Sequence, residues 1–279
     1  MAENSKDRWI RVTGDFKPGT LFLRAALARE GLSELTEATI EVTTPDLREK
    51  AEDFLGQPMH LEMVTALGKT RAIRGVCTSV ENLGVHGKLK HFRFETRPRY
   101  WMLTLTQNSR IFQDKSVLEI IADVLGEHGL SDYQDSTKES YSTRTYCVQY
   151  RESDFDFLSR LMEEEGIYYF FDHSGAKEKL VLVDSTASFK SMAETPTLDF
   201  VEQQFMHAER APHIYEWVQH DRVNTGKISL VDYDFTKPSA DLGVTTLIKK
   251  GKHSHAEYEV YDTPGHYIDA GRGETLSRI

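Results

Sequence analysis

Cysteine, excess positive charge and long apolar runs are all scarce in this chain. Cys77 and Cys147 are far apart among strand-forming residues, which is typical of small buried thiols and excludes a local metal motif. Lys and Arg number 34 against 44 Asp and Glu, a net charge of −10, so nucleic acid or an anionic membrane is not expected as the main partner. Residues 1–7 are polar and precede no apolar segment, which indicates no signal peptide. No run approaches the roughly 20 apolar residues that span a bilayer.

The sequence also lacks the short motifs that mark common enzyme classes. It contains no G-x-S-x-G, H-E-x-x-H, P-loop or dinucleotide fingerprint. His253 and His255 could share a strand face, but only Glu257 and Glu259 lie nearby, and a structural zinc needs about four ligands. The glutamates at 163–165 close a predicted helix, where consecutive side chains point in different directions. We therefore predict no catalytic, cofactor-binding or metal site.

What is present is a globular composition, with 39% hydrophobic residues in 279, enough for two or three domains. Residues 1–105 are predicted to be mainly β, and so many consecutive antiparallel strands should curl or close into a barrel. A short helix is predicted at Asp46–Leu55, capped by Asp46 and stopped by Gly56. The predicted strands are Trp9–Val12, Leu35–Thr43, Met59–Ala66, Arg71–Leu83 and Lys90–Thr106. Leu21–Glu30 has good helix formers but alternates in places, and only the resemblance given below favours a strand there.

Residues 106–190 combine helices with strands, and residues 191–279 return to strands. Asp114 is a candidate cap for a helix at Lys115–Glu127, with Val117, Leu118, Ile121, Val124 and Leu125 on its apolar face. A polar loop is predicted at Ser131–Thr143. The later predicted strands are Lys179–Asp184, Leu198–His207, Ile214–Asn224 and Lys227–Thr236.

The most specific segment reads YCVQYRESDFDFLSRLMEEEGIYYFFD and predicts a strand, a helix and a second strand. Ser153 is a natural N-cap, and Asp154 follows in the first turn, where the helix dipole favours negative charge. Gly166 supplies a left-handed stop. The run Ile167–Phe171 is apolar throughout, which predicts a strand buried on both faces. One helical face carries Phe157, Leu158, Leu161 and Met162.

This segment resembles the VgrG family, the spike proteins of bacterial type VI secretion systems. Two further stretches resemble the family as well, Arg97–Asp114 and Tyr261–Ile279. The residues that match the motif, expected to be structural, are Tyr150, Arg151, Glu152, Ser153, Asp154, Phe155, Phe157, Arg160, Leu161, Glu165, Gly166 and Tyr168.

The resemblance implies a mostly β fold with an α+β insertion, in which β-barrel domains of the phage tail hub type flank an α/β domain. Residues 1–105 would be the first barrel, 106–190 the α/β domain with its two helices, and 191–279 the start of the second barrel with its insertion. Family members continue through more of that barrel, an OB-like domain and a β-helix needle. The chain is therefore expected to be a fragment.

The function implied by the resemblance is structural and not enzymatic. A homotrimeric hub would cap the hexameric Hcp tube and carry the needle with its effectors or adaptors. Nucleic acid would play no part, and a target membrane would be met only through the needle. Such proteins assemble in the bacterial cytoplasm and are exported without a signal peptide.

Three alternatives stay open at the level of sequence. A baseplate hub of a contractile phage shares the fold. A hydrolase of cell wall or carbohydrate would need a carboxylate pair or a zinc site, for which Glu165 and His255 are the residues to mutate. A carbohydrate-binding β-module would need exposed aromatics, for which Trp101 and Trp217 are the candidates.

Overall fold

The N-terminal part of the chain forms one six-stranded antiparallel sheet. The computed structural model describes residues 9–17, 20–64, 69–189, 197–201, 213–248 and 257–279. The order across the sheet is first, fourth, fifth, sixth, third and second strand, so the first two strands lie at the edges. In chain order the strands are β1 (Ile10–Gly14), β2 (Phe22–Arg29), β3 (Glu37–Thr44), β4 (Pro58–Val64), β5 (Thr70–His86) and β6 (Leu89–Arg97).

The core of this sheet lies on one face because apolar and polar residues alternate along its strands. Ile40, Met59, Phe92 and Phe94 are fully buried there. Strand β5 pairs with β4 through its first half and with β6 through its second half, with two register shifts against β6. Changing partners along one strand curls the sheet around its core, as the strand count predicted.

The predicted helix at Asp46–Leu55 is wrong: the segment contains only a 3-10 turn at Ala51–Phe54. The Asp46 carboxylate accepts the backbone N–H of Arg48 at 3.0 Å and pairs with the Arg48 guanidinium at 2.8 Å. An aspartate that bonds the amide two residues on forms a local turn, which competes with helix formation. Phe54 nevertheless packs into the sheet core, with its ring 5.1 Å from that of Phe94.

A second region of helices and short strands follows. Strands β7 and β9 pair antiparallel, while β10, β11 and β8 form a separate sheet in that order, with β8 parallel to β11. Its elements are β7 (Gln107–Phe112), α1 (Val117–Glu127), β8 (Gln134–Asp135), β9 (Cys147–Ser153), α2 (Asp154–Glu164), β10 (Tyr168–Asp172) and β11 (Lys179–Val183). One apolar core, formed around both helices, holds this region together.

Helix α1 begins at Val117, two residues later than predicted. Ser116, not Asp114, is the N-cap, because Ser116 and Glu119 satisfy each other's backbone N–H groups in a capping box. Asp114 instead has a positive φ of 51°. Ile120 is fully buried in the helix face, whereas the predicted Leu118 is only half-buried. The loop predicted at 131–143 contains the two-residue strand β8.

The chain divides into two compact units, Met1–Glu163 with Ile167–Glu216, and Glu164–Gly166 with Trp217–Ile279. In the second unit, β13 pairs antiparallel and β14 parallel with β12, around a small core of Leu242, Val244 and Tyr267. Its elements are β12 (Lys227–Leu230), β13 (Val244–Leu247), β14 (Glu259–Asp262) and α3 (Ala270–Leu276).

The strand predicted at Ile214–Asn224 is wrong, since the structure has only an isolated bridge between Phe200 and Ile214 there. Apolar side chains in that stretch, such as Trp217 at 78%, are exposed, and none of the strands in the described part of the chain pairs with it. The next predicted strand, Lys227–Thr236, ends at Leu230. Most of the predicted strand Leu198–His207 lies outside the described residues.

Candidate functional site

The motif segment forms a strand, a sharp change of direction and a helix within a few residues. Strand β9 shifts register near Arg151, whose φ is +53°. Ser153 then caps helix α2: its hydroxyl accepts the Asp156 N–H at 3.0 Å and donates to the Asp156 carboxylate at 2.6 Å. The cap position predicted from sequence is thus the one the structure uses, and it fixes where the helix starts.

Asp154 is the centre of the site, and it is 3% exposed. Its Oδ1 accepts from Gln149 Nε2 at 2.7 Å and from the Arg110 guanidinium at 3.0 Å. Its Oδ2 accepts from the Thr106 hydroxyl at 2.8 Å and lies 2.7 Å from His128 Nε2. We call these five residues the Asp154 network. They join α2 and the adjoining β9 to β7 and to the end of α1, which come from three separate parts of the sequence.

The electrostatics of the network favour an ionised Asp154. Burial opposes ionisation, but hydrogen bonds from Gln149, His128 and Thr106 outweigh it and hold the pKa of Asp154 below its ordinary value of 3.8. Arg110 also pairs with Glu127, so its own charge is matched by two carboxylates. A buried carboxylate that is fully hydrogen-bonded fixes the positions of its neighbours, because any other packing would leave the carboxylate without hydrogen-bond partners.

Apolar residues of the motif complete this junction on the same buried face of α2 as Asp154. Phe157 and Leu161 are fully buried, and the Phe157 ring stacks on Phe112 with centroids 5.5 Å apart. Arg160 covers Phe157 from outside, its guanidinium 5.5 Å from the ring. The same guanidinium donates to the Glu152 carboxylate at 2.7 Å, closing the helix against β9.

Other motif residues face outward or lie at the far end of the helix. Tyr150 is 64% exposed, with the Arg151 guanidinium 5.3 Å from its ring. Phe155 is half-buried, and its ring lies 5.5 Å from that of Tyr100. Gly166 has a φ of +69°, as the predicted stop requires.

Strand β10 is covered more on one face than on the other, so the prediction of full burial on both faces is wrong. Tyr169 and Phe171 are buried, whereas Tyr168 and Phe170 are half-buried. The Phe189 ring lies against this outer pair, 5.9 Å from the ring of Tyr168 and 6.0 Å from that of Phe170.

The glutamates at 163–165 have three different environments. Glu163 is exposed, Glu164 is half-buried, and the buried Glu165 pairs with Arg272. Within the described ranges, no three His, Cys, Asp or Glu side chains are grouped as metal ligands.

The remaining candidates from the sequence are dispersed. The pair His253 and His255 lies outside the described residues. Trp101 is half-buried beside the Arg97 guanidinium, while Trp217 is exposed. Neither cysteine forms a disulfide, and both are buried, as predicted. None of the helices in the described part of the chain is long and apolar enough to cross a membrane.

Sequence reasoning missed the partners of Asp154. Thr106, Arg110 and His128 are too far from the motif for any local pattern to connect them with it. Gln149 carried a usable signal, because it is a polar residue at an inward position of a predicted strand, and such a residue needs a buried partner.

Comparison with known proteins decides the family. The family model for the phage tail baseplate hub (GPD) matches residues 29–279. The chain belongs to the phage tail baseplate hub family. The Asp154 network and strands β3 to β6 of the curled sheet therefore lie in the matched region.

Two relatives connect this hub protein with type VI secretion. It is 35% identical over 271 residues to the spike protein VgrG1a of Pseudomonas aeruginosa, covering 97% of this chain and 42% of that protein. It is 25% identical, with a TM-score of 0.59, to the Escherichia coli c3393 protein, covering 64% of this chain and 50% of that one. The latter is a component of the type VI secretion system that exhibits structural similarity to the T4 bacteriophage tail proteins gp27 and gp5. The hub chain thus spans less than half of the length of VgrG1a.

A phage tail protein of low sequence identity to this chain has a similar fold. The 43 kDa tail protein of prophage MuSo2 from Shewanella oneidensis gives a TM-score of 0.57 at 13% identity. The match covers 96% of the hub chain and 76% of the tail protein. It establishes a shared fold, mostly β with a curled sheet, as the resemblance had implied.

Proposed function

We propose that the chain is the hub region of a type VI secretion spike, which forms a trimeric ring on the end of the hexameric Hcp tube. The observation that carries the proposal is the 35% identity to VgrG1a across 97% of the chain. A threefold ring meets a sixfold tube only if each subunit presents two similar surfaces. We therefore also propose that residues 1–105 and 191–279 belong to two related barrels, with 106–190 as the α/β domain between them.

The proposed role is mechanical, and the hydrogen bonding of two buried carboxylates, Asp154 and Glu178, supports it. Asp154 is satisfied by four partners on separate elements. Glu178, also buried, accepts the backbone N–H and the guanidinium of Arg99 at 2.8 and 3.0 Å. Both carboxylates join separate elements through hydrogen bonds. We infer that this region transmits force and does not catalyse a reaction.

The motif residues would then set the rigidity of the hub. Phe157, Leu161 and Asp154 anchor α2, and Ser153 and Gly166 fix its two ends. The wider assembly that we propose comprises a homotrimer, the Hcp tube, and secreted effectors or adaptors carried on the needle. Assembly in the cytoplasm and export by the secretion machine follow from the same proposal.

Electron microscopy of Hcp tubes mixed with the purified chain tests this function. We expect additional density at one end of the tubes, absent when the chain is omitted. A matched incubation with tail tubes of a contractile phage tests the alternative hub, which the fold shared with the MuSo2 tail protein supports. Capping of phage tubes alone would favour the phage hub. Bare ends on both kinds of tube would contradict the tube-capping role.

A further inference from the structure

His173 connects the six-stranded sheet to the turn between β10 and β11. It is 8% exposed. The backbone N–H of Arg74, in β5, donates to His173 Nδ1 at 3.0 Å. In return the Arg74 Nε donates to the His173 backbone carbonyl at 3.1 Å. These two bonds join residues 99 positions apart and belong to the first compact unit.

The direction of the first bond fixes the protonation state of the imidazole. Because Nδ1 accepts an N–H, it carries no proton, and the neutral ring holds its proton on Nε2. Nε2 is buried, makes no hydrogen bond among the described residues and lies 3.6 Å from Glu30 Oε1. A second proton could enter only at Nδ1. There it would face the Arg74 N–H, donor against donor, and the bond would have to break.

The groups that face His173 come from several elements and carry charges of both signs. Arg71 and Arg74 lie on β5, and His60 lies on β4. Two carboxylates oppose them, Asp172 next in sequence and Glu30, which is already paired with Arg71. An imidazolium here would therefore meet two guanidinium groups as well as a buried setting.

We propose that the His173–Arg74 contact is an acid-sensitive latch, in which protonation of the imidazole at Nδ1 releases the turn between β10 and β11 from the six-stranded sheet. The proton comes from solvent and binds the Nδ1 lone pair. The Arg74 N–H loses its acceptor and becomes accessible to water. The opening is local, because the cores of both regions hold no part of this contact.

Hydrogen exchange at the Arg74 amide measures the latch directly. Burial, followed by the charge of Arg71, lowers the pKa of His173 from 6.5 to about 4 in the closed state. When the contact opens, the imidazole regains its ordinary pKa of 6.5. Opening therefore becomes easier as the pH falls from 6.5 towards 4. After correction for intrinsic exchange, we expect protection of the Arg74 amide to drop about 30-fold between pH 7.5 and pH 5.

His173→Asn separates titration from packing. An asparagine side chain can accept the Arg74 N–H through its oxygen and does not titrate. We expect this variant to remain folded by circular dichroism and to keep its Arg74 protection nearly constant over the same pH range. His86→Asn, at an exposed histidine of β5, is the matched control and should retain the wild-type response.

Two results would overturn the latch. Wild-type protection that does not change between pH 7.5 and pH 5 would mean that His173 does not control the contact. An equal loss in wild type and His173→Asn would assign the acid response to another group. His173→Leu, which offers no acceptor, gives a further check, since it should show low Arg74 protection at every pH.

Discussion

Asp154→Ala is expected to lower the free energy of unfolding by about 3–5 kcal/mol, the usual cost of removing one partner from a buried charged network. The substitution leaves Gln149 without its carboxylate acceptor in a fully buried position, and deprives Arg110 of one of its two carboxylates. Urea denaturation at pH 7, followed by circular dichroism, measures the loss. Because the pKa of Asp154 is lowered on folding, its contribution is present above pH 3.8 and fades as pH falls below that value.

Two control variants separate the network from the helix that carries it. Asp154→Asn keeps the shape and one acceptor oxygen, so we expect a smaller loss than for alanine. Glu163→Gln removes a charge from an exposed position of the same helix and should change stability by no more than about 0.5 kcal/mol. If Asp154→Ala costs no more than Glu163→Gln, the network does not hold the junction together.

Phe157→Ala should cost about 3–5 kcal/mol of unfolding free energy, since it opens a cavity where a fully buried ring stacks on Phe112. The substitution also removes the aromatic ring that lies beneath the Arg160 guanidinium. The same denaturation experiment applies. Phe155→Ala is the matched control, because it makes the same chemical change two residues earlier at a half-buried position. Equal losses at both positions would show that burial on this face of α2 is not what stabilises the helix.

The local order of the motif was predictable because its signals are short-range. A serine cap, apolar residues at helical spacing and a glycine stop each act within about one turn of the helix. They placed α2 and its neighbouring strands correctly. The same kind of reasoning failed at Asp46, where a side chain bonded to the nearest amide stopped a helix from forming.

Long-range features were not predictable from one sequence. The network around Asp154 draws on Thr106, Arg110 and His128, whose spacing along the chain carries no pattern. The stretch Ile214–Asn224 alternates like a strand, yet a strand also needs a paired neighbour, and only an isolated bridge at Ile214 supplies one in the described residues. Alternation is therefore a necessary signal for a strand but not a sufficient one.

The fold alone does not separate a secretion hub from a phage hub. The curled sheet and the α/β region are shared with a prophage tail protein at 13% identity. The 35% identity to VgrG1a is what favours secretion. Both hubs require the chain to assemble with copies of itself, so self-association is the property on which the whole account depends.

Light scattering across a range of protein concentrations tests that property most directly. The account predicts a mass that rises with concentration towards three times 32.0 kDa, with the determinants of the trimer within residues 1–279. A mass of 32.0 kDa that does not change with concentration would contradict a self-assembling hub built from this region.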